Sequence, residues 1–166
     1  MSEVIRMNEE KISGQITVTG TINGTITIGG GGDKIDLVIN PKNGTSPTAI
    51  GDYLFADQTE LRSVKINNAL SAEGVTVGSY AFAGCTALER VEMPKVEQIK
   101  SYAFRYCPVK DYYFGSTGNG GVPILSTVLP GTDDKKIHVP ASLEADYKAA
   151  SGWSQYASII VGDYNA

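Results

Sequence analysis

Three apolar-x-apolar triplets recur at a fixed interval: Leu37-Val38-Ile39, Val64-Lys65-Ile66 and Val91-Glu92-Met93 begin 27 residues apart. An apolar pair at period two is a short strand with one buried face. Self-similarity at such a period marks stacked supersecondary units, none of which can bury its apolar edge alone. Tyr112-Tyr113-Phe114 and Ile137-His138-Val139 continue the series. Turn formers or helix stops follow each triplet: Asn40-Pro41, Asn67-Asn68, Pro94, Gly115 and Pro140. The pattern predicts five parallel strands in register at 37–39, 64–66, 91–93, 112–114 and 137–139.

A second similarity precedes the strands. Ile50-Gly51-Asp52-Tyr53-Leu54-Phe55, Val77-Gly78-Ser79-Tyr80-Ala81-Phe82 and Ile99-Lys100-Ser101-Tyr102-Ala103-Phe104 align, and Cys85 and Cys107 follow at the same distance in the last two. Stacking would bring Phe55, Phe82 and Phe104 into one buried ladder. The pattern Gly-x-Tyr-Ala-Phe-x-x-Cys-x-x-Leu-x-x-Val from Gly78 to Val91 resembles the BspA-like leucine-rich repeat family. The stretch from His138 through Leu143, Tyr147 and Trp153 is similar to the segment that closes such arrays. The first unit departs from the pattern, with Leu54 in place of Ala and Gln58 in place of Cys. The resemblance implies a mainly β, short leucine-rich-repeat solenoid with a parallel sheet of about five rungs over 34–166. A C-terminal helical cap is expected from Ser142, as N-cap, to Gly152 at C′, with Leu143 and Tyr147 on one face. Such repeats occur in bacterial surface proteins, protist proteins and bacteriophage particles.

Residues 1–33 read differently. From Ile16 to Ile28, Ile, Val or Gly takes every even position and Gln, Thr or Asn every odd one. Gly20 and Gly24 are expected to break this run into short strands, and Gly29–Gly32 to act as a flexible hinge. So short a segment cannot enclose a core. It is therefore expected to oligomerise and attach the chain, as a homotrimer, with the apolar side inward. The competing arrangement folds it back as a cap on the rung at Leu37.

Composition narrows the function. Hydrophobic residues make up 42% and charged residues 19%, enough apolar matter for a core and too little charge for disorder. The net charge of −4 is scattered, so neither nucleic acid nor an anionic membrane is an expected partner. Charges interrupt the N-terminus, so no secretory signal is expected there, and no apolar run is long enough to insert in a membrane.

No catalytic, cofactor or metal constellation is expected. His138 is the sole histidine and should project, solvated, from the sheet. Gly115-Ser116-Thr117-Gly118-Asn119-Gly120-Gly121 has the glycine content of a phosphate loop but lacks its Lys, and reads as a mobile loop. Asp133-Asp134 reads as an exposed turn. Stacked Cys85 and Cys107 would be close enough for a disulfide, but are read as small buried thiols. The candidate binding face is the outer side of the sheet. One column should read Val38, Lys65, Glu92, Tyr113 and His138, and its neighbour Ser63, Arg90 and Asp111. Lys65 is expected to pair with Glu92 and Arg90 with Asp111, and Tyr113 with His138 to offer an aromatic contact. The expected function is non-enzymatic: a structural or receptor-binding component of a bacteriophage virion, contacting other virion proteins or a host surface protein or glycan. The alternative is a bacterial cell-surface adhesin.

Overall fold

The computed structural model describes residues 2–6, 15–19, 24–29, 34–41, 49–66 and 74–165. Near the N-terminus β1 (Ser2–Arg6) pairs antiparallel with β2 (Gln15–Thr19). Strand β3 (Gly24–Gly29) pairs antiparallel with β4 (Ile35–Pro41) and so covers the first edge of the main sheet. The even-odd run therefore divides into β2 and β3; Gly24 is the first residue of β3 rather than a break, and Gly20 lies outside the described residues. Gly29 belongs to β3, and the rest of the expected hinge, 30–33, lies outside the described residues.

From β4 onward the chain is a β-solenoid. The expected strands are present in the expected order: β4, β6 (Leu61–Ile66), β8 (Arg90–Ile99), β9 (Asp111–Ser116) and β11 (Lys136–His138), following the two-residue β5 (Ala49–Ile50) and three-residue β7 (Val75–Val77) that lie between them. The register is also as expected: Leu37 lies beside Val64, Val64 beside Val91, Val91 beside Tyr112, and Tyr112 beside Ile137. All pairings along this face are parallel.

Each rung has two further sides. The apolar residue opening each repeat forms a second parallel face, in which β5, β7, the end of β8 and β10 (Ile124–Leu125) align Ile50, Val77, Ile99 and Leu125. Strand β8 serves both faces. Its first half pairs with β6 and β9 and its second with β7 and β10. Pro94 stands between the halves, at a position where a missing donor is tolerated. The third side is a stack of turns tied rung to rung by backbone bonds: Tyr53, Phe55 and Asp57 N–H donate to Ser79, Ala81 and Ala83 carbonyls, and Tyr80, Phe82 and Gly84 N–H donate to Ser101, Ala103 and Arg105 carbonyls.

The core runs along the solenoid axis. Phe55, Phe82 and Phe104 are wholly buried and stacked, with centroids 5.3 and 5.5 Å apart. Tyr112 and Phe114 extend the aromatic column to Trp153 in the cap. Cys85 and Cys107 are free and buried, and each thiol donates to the carbonyl of the phenylalanine one rung before, Cys85 to Phe55 at 3.1 Å and Cys107 to Phe82 at 3.0 Å. In the first unit Gln58 turns its amide to the Ala56 carbonyl instead.

The C-terminal cap differs in detail from expectation. After Pro140 comes a single 3-10 turn, Ala141–Leu143, and then a six-residue helix, α1 (Glu144–Ala149). Ser142 makes no capping bond, because the 3-10 turn occupies the place where its hydroxyl would act. Gly152 stands beyond the helix end rather than at C′. It has φ +82, and a Cβ there would lie 2.7 Å from the Leu125 carbonyl. Tyr147 and Trp153 are buried with their polar ends satisfied, the Tyr147 hydroxyl donating to Gly115 O and the indole N–H to Pro123 O. Strand β12 (Ile160–Val161) pairs parallel with β11 and adds a sixth rung strand. Among the described residues no helix is long and apolar enough to cross a membrane.

Candidate binding face

Period-two alternation puts Lys65, Glu92, Tyr113 and His138 in one outward column and Asp36, Ser63, Arg90, Asp111 and Lys136 in the next. The structure thus brings all six expected residues onto one face. Their contacts differ from those expected at two places.

Lys65 pairs with Glu92 as expected, Nζ to Oε1 at 3.1 Å. Arg90 does not pair with Asp111, although the two are register neighbours. Its guanidinium lies 3.9 Å from the Tyr113 ring centroid and reaches Glu92 Oε2 at 3.3 Å. A planar guanidinium gains more by lying on an aromatic face beside a shared carboxylate than by extending to a solvated one. Glu92 is thus held by two cations. Burial opposes its ionisation, but the hydrogen bonds from Lys65 and Arg90 outweigh burial and hold its carboxyl below the ordinary value.

His138 is not the solvated histidine expected. Its side chain is 14% exposed. The ring stacks on Tyr113 at 4.3 Å, and its nitrogens stand 3.1 Å from Asp111 Oδ1 and 2.7 Å from Asp163 Oδ1. The C-terminal tail produces this enclosure. Tyr164 N–H donates to Val139 O, its hydroxyl donates to Glu92 Oε1 at 3.2 Å, and its ring meets Tyr113 edge-on at 5.5 Å. The His138 end of the face is therefore covered by the chain's own tail, and Tyr113 is an internal contact.

At the other end of the face Arg62 holds Asp36 through both carboxylate oxygens, and Ser63 donates to the same carboxylate at 2.7 Å. The Arg62 hydrogen bonds hold the Asp36 carboxyl below its ordinary value. Extending the outward column back by one rung to Asp36 would have found this site. The glycine-rich segment after β9 is a closed turn: Thr117 and Gly121 bond to each other, and Gly118 N–H donates to Glu97 Oε1 at 2.6 Å. Asp133 and Asp134 are an exposed turn, as expected. Among the described residues no three His, Cys, Asp or Glu side chains gather where they could hold a metal ion.

The largest exposed aromatic group lies on another side. Tyr53, Tyr80 and Tyr102 stack one per rung along the turns, with centroids 4.9 and 5.1 Å apart. A scan against family models matches residues 41–119 to the BspA type leucine rich repeat region, in six copies. The parallel stack of rung strands continues past the matched residues through β11 and β12 into the cap. Repeats of this type point to a protein-binding or surface module, and their solenoids are typically non-catalytic scaffolds. No curated protein matches the chain.

Proposed function

We propose that the chain is a non-enzymatic recognition module carried on a bacteriophage particle, as a tail or head fibre or a tail-tip component. The observation that carries the recognition reading is the pre-formed outer surface. One residue per rung is set in register, and the partly exposed Lys65, Arg90 and Asp111 are held by Glu92, Tyr113 and His138 before any partner arrives. A surface ordered in advance loses little conformational entropy on binding.

The virion reading is supported by the fibre-like alternation of Ile, Val and Gly with Thr from Ile16 to Ile28. Strand β3 occupies the edge of the solenoid sheet, which leaves the β1–β2 pair as the element to join copies or attach to other virion proteins. A homotrimer about that element is the proposed assembly. A second reading is an adhesin on a bacterial cell surface, consistent with repeats that point to a protein-binding or surface module.

An antibody against the chain separates the two. Applied to the source culture, it labels purified phage particles on the first reading and intact cells on the second. Labelling of neither would remove both placements.

A further inference from the structure

The tyrosine row on the turn side has features that its neighbours do not explain. Tyr53, Tyr80 and Tyr102 all adopt left-handed backbone, with φ between 57 and 59. A bulky residue in that region is an outlier, and Gly, Asn or Asp would fit it with less strain. The second left-handed column, Asp57, Gly84 and Tyr106, varies in residue type, whereas the first has tyrosine in all three of these turns. Backbone strain of this kind is retained where surrounding structure or function requires it.

The ends of the row are exposed, Tyr53 by 60% and Tyr102 by 51%, with Tyr80 between them half-buried, and Tyr106, in the last of these turns, is 67% exposed. Each tyrosine follows Asp52, Ser79 or Ser101 and lies three residues before Ala56, Ala83 or Arg105. Each ring covers the face of the next, so the row presents ring edges and a line of phenol hydroxyls at the rung interval. At its end Arg105 lies over both Tyr102 and Tyr106 and donates to the Tyr106 hydroxyl at 2.7 Å.

We propose that this ridge binds a neutral polysaccharide chain laid along the solenoid axis. Shape favours a polymer over a folded protein. The ridge is one side chain wide, whereas a stable protein interface takes about 20–30 residues from each partner. Charge favours a neutral ligand. The ionic groups along the turns are Asp52 and Asp57 at one end and Lys100 and Arg105 at the other, a balance that offers no basic track for a polyanion or a single-stranded nucleic acid. Chemistry favours a sugar. Phenol hydroxyls both donate and accept and the guanidinium adds donors, which suits a ligand that carries a hydroxyl on almost every carbon.

This inference rests on the recognition-module reading but not on where the module is carried. Native affinity electrophoresis through gels containing soluble neutral glucan, mannan or galactan tests it separately from antibody labelling. The full-length chain should be retarded by at least one of the three. The triple variant Tyr53→Phe, Tyr80→Phe, Tyr102→Phe keeps the stacked rings and the fold but removes the hydroxyls, and its apparent affinity should fall at least fivefold. Arg105→Ala should also weaken retardation. No retardation of the wild-type chain in any gel would overturn the proposal. So would retardation that is equal in the wild type, the triple variant and Arg105→Ala. Particle or cell labelling would stand in either case.

Discussion

Phe82→Ala should be the most damaging single truncation in the repeat array. Phe82 is wholly buried and stacked on both faces, 5.3 Å from Phe55 and 5.5 Å from Phe104. Its carbonyl also accepts the Cys107 thiol, so its backbone position is fixed from the next rung. Truncating a buried phenylalanine costs about 3–5 kcal/mol through lost transfer energy and a residual cavity. Two ring stacks, each worth about 0.5–1.5 kcal/mol, place this site towards the upper part of that range. The neighbouring rungs are hydrogen-bonded to one another along the turn side and cannot readily collapse into the gap. Urea unfolding followed by circular dichroism measures the effect. With a slope of about 2 kcal/mol per molar, a loss of about 4 kcal/mol lowers the midpoint by about 2 M. Phe55→Ala removes one of these stacks and should cost about 1 kcal/mol less. A midpoint shift below about 0.5 M for Phe82→Ala, or a larger loss for Phe55→Ala, would refute the continuous aromatic ladder.

Three further outcomes follow from the contacts. Ellman titration should find no reactive thiol in the native protein and two after denaturation. Cys107 is held above the usual thiol range by its contact with the Cys85 thiol and by burial, so moderate alkalinity should not expose it. Lys65→Ala should lower stability by only about 0.2–1 kcal/mol, since its pair with Glu92 is partly solvated; a loss of several kcal/mol would show that the face is covered. Stability should also fall on acidification. The Asp36 and Glu92 carboxyls bind protons more weakly folded than unfolded, so their contribution is complete above about pH 4.5, the ordinary value for Glu92, and is lost as the pH drops through the folded values. Thermal melts between pH 6 and pH 3 check this, and Asp36→Asn should flatten part of the slope.

The repeat interval made much of the fold legible. The triplets at 37–39, 64–66 and 91–93 placed the strands and fixed their register, because a one-residue slip would turn Val64 and Val91 outward. The second face was less legible. Ile50, Val77 and Ile99 are aligned in the sequence, but their strands are only a few residues long and carry little periodicity of their own. Alternation also predicts which face a side chain leaves by, not which way it then leans. That is why the columns pair Arg90 with Asp111, whereas its guanidinium lies over Tyr113. The column places His138 beside Tyr113, but its enclosure is not legible, since Asp163 and Tyr164 come from a tail outside the repeat. The tyrosines of the ridge are visible in the Gly-x-Tyr-Ala-Phe pattern. That they point outward depends on left-handed backbone, for which tyrosine gives no sequence signal.

Assembly bears on how the module would be displayed. Static light scattering of the full-length chain and of residues 34–166 should show a trimer and a monomer respectively. The truncation also removes β3 from the edge of β4 and should be less stable. Two monomers would mean that the N-terminal strands serve the solenoid alone.

The recognition claim is tested most directly by adding fluorescently labelled chain to intact bacteria of the strains that grow with its source. The account predicts saturable binding to at least one of them, displaced by excess unlabelled chain and weakened in the triple tyrosine-to-phenylalanine variant. Binding that rises linearly with concentration on every strain and is not displaced would contradict it.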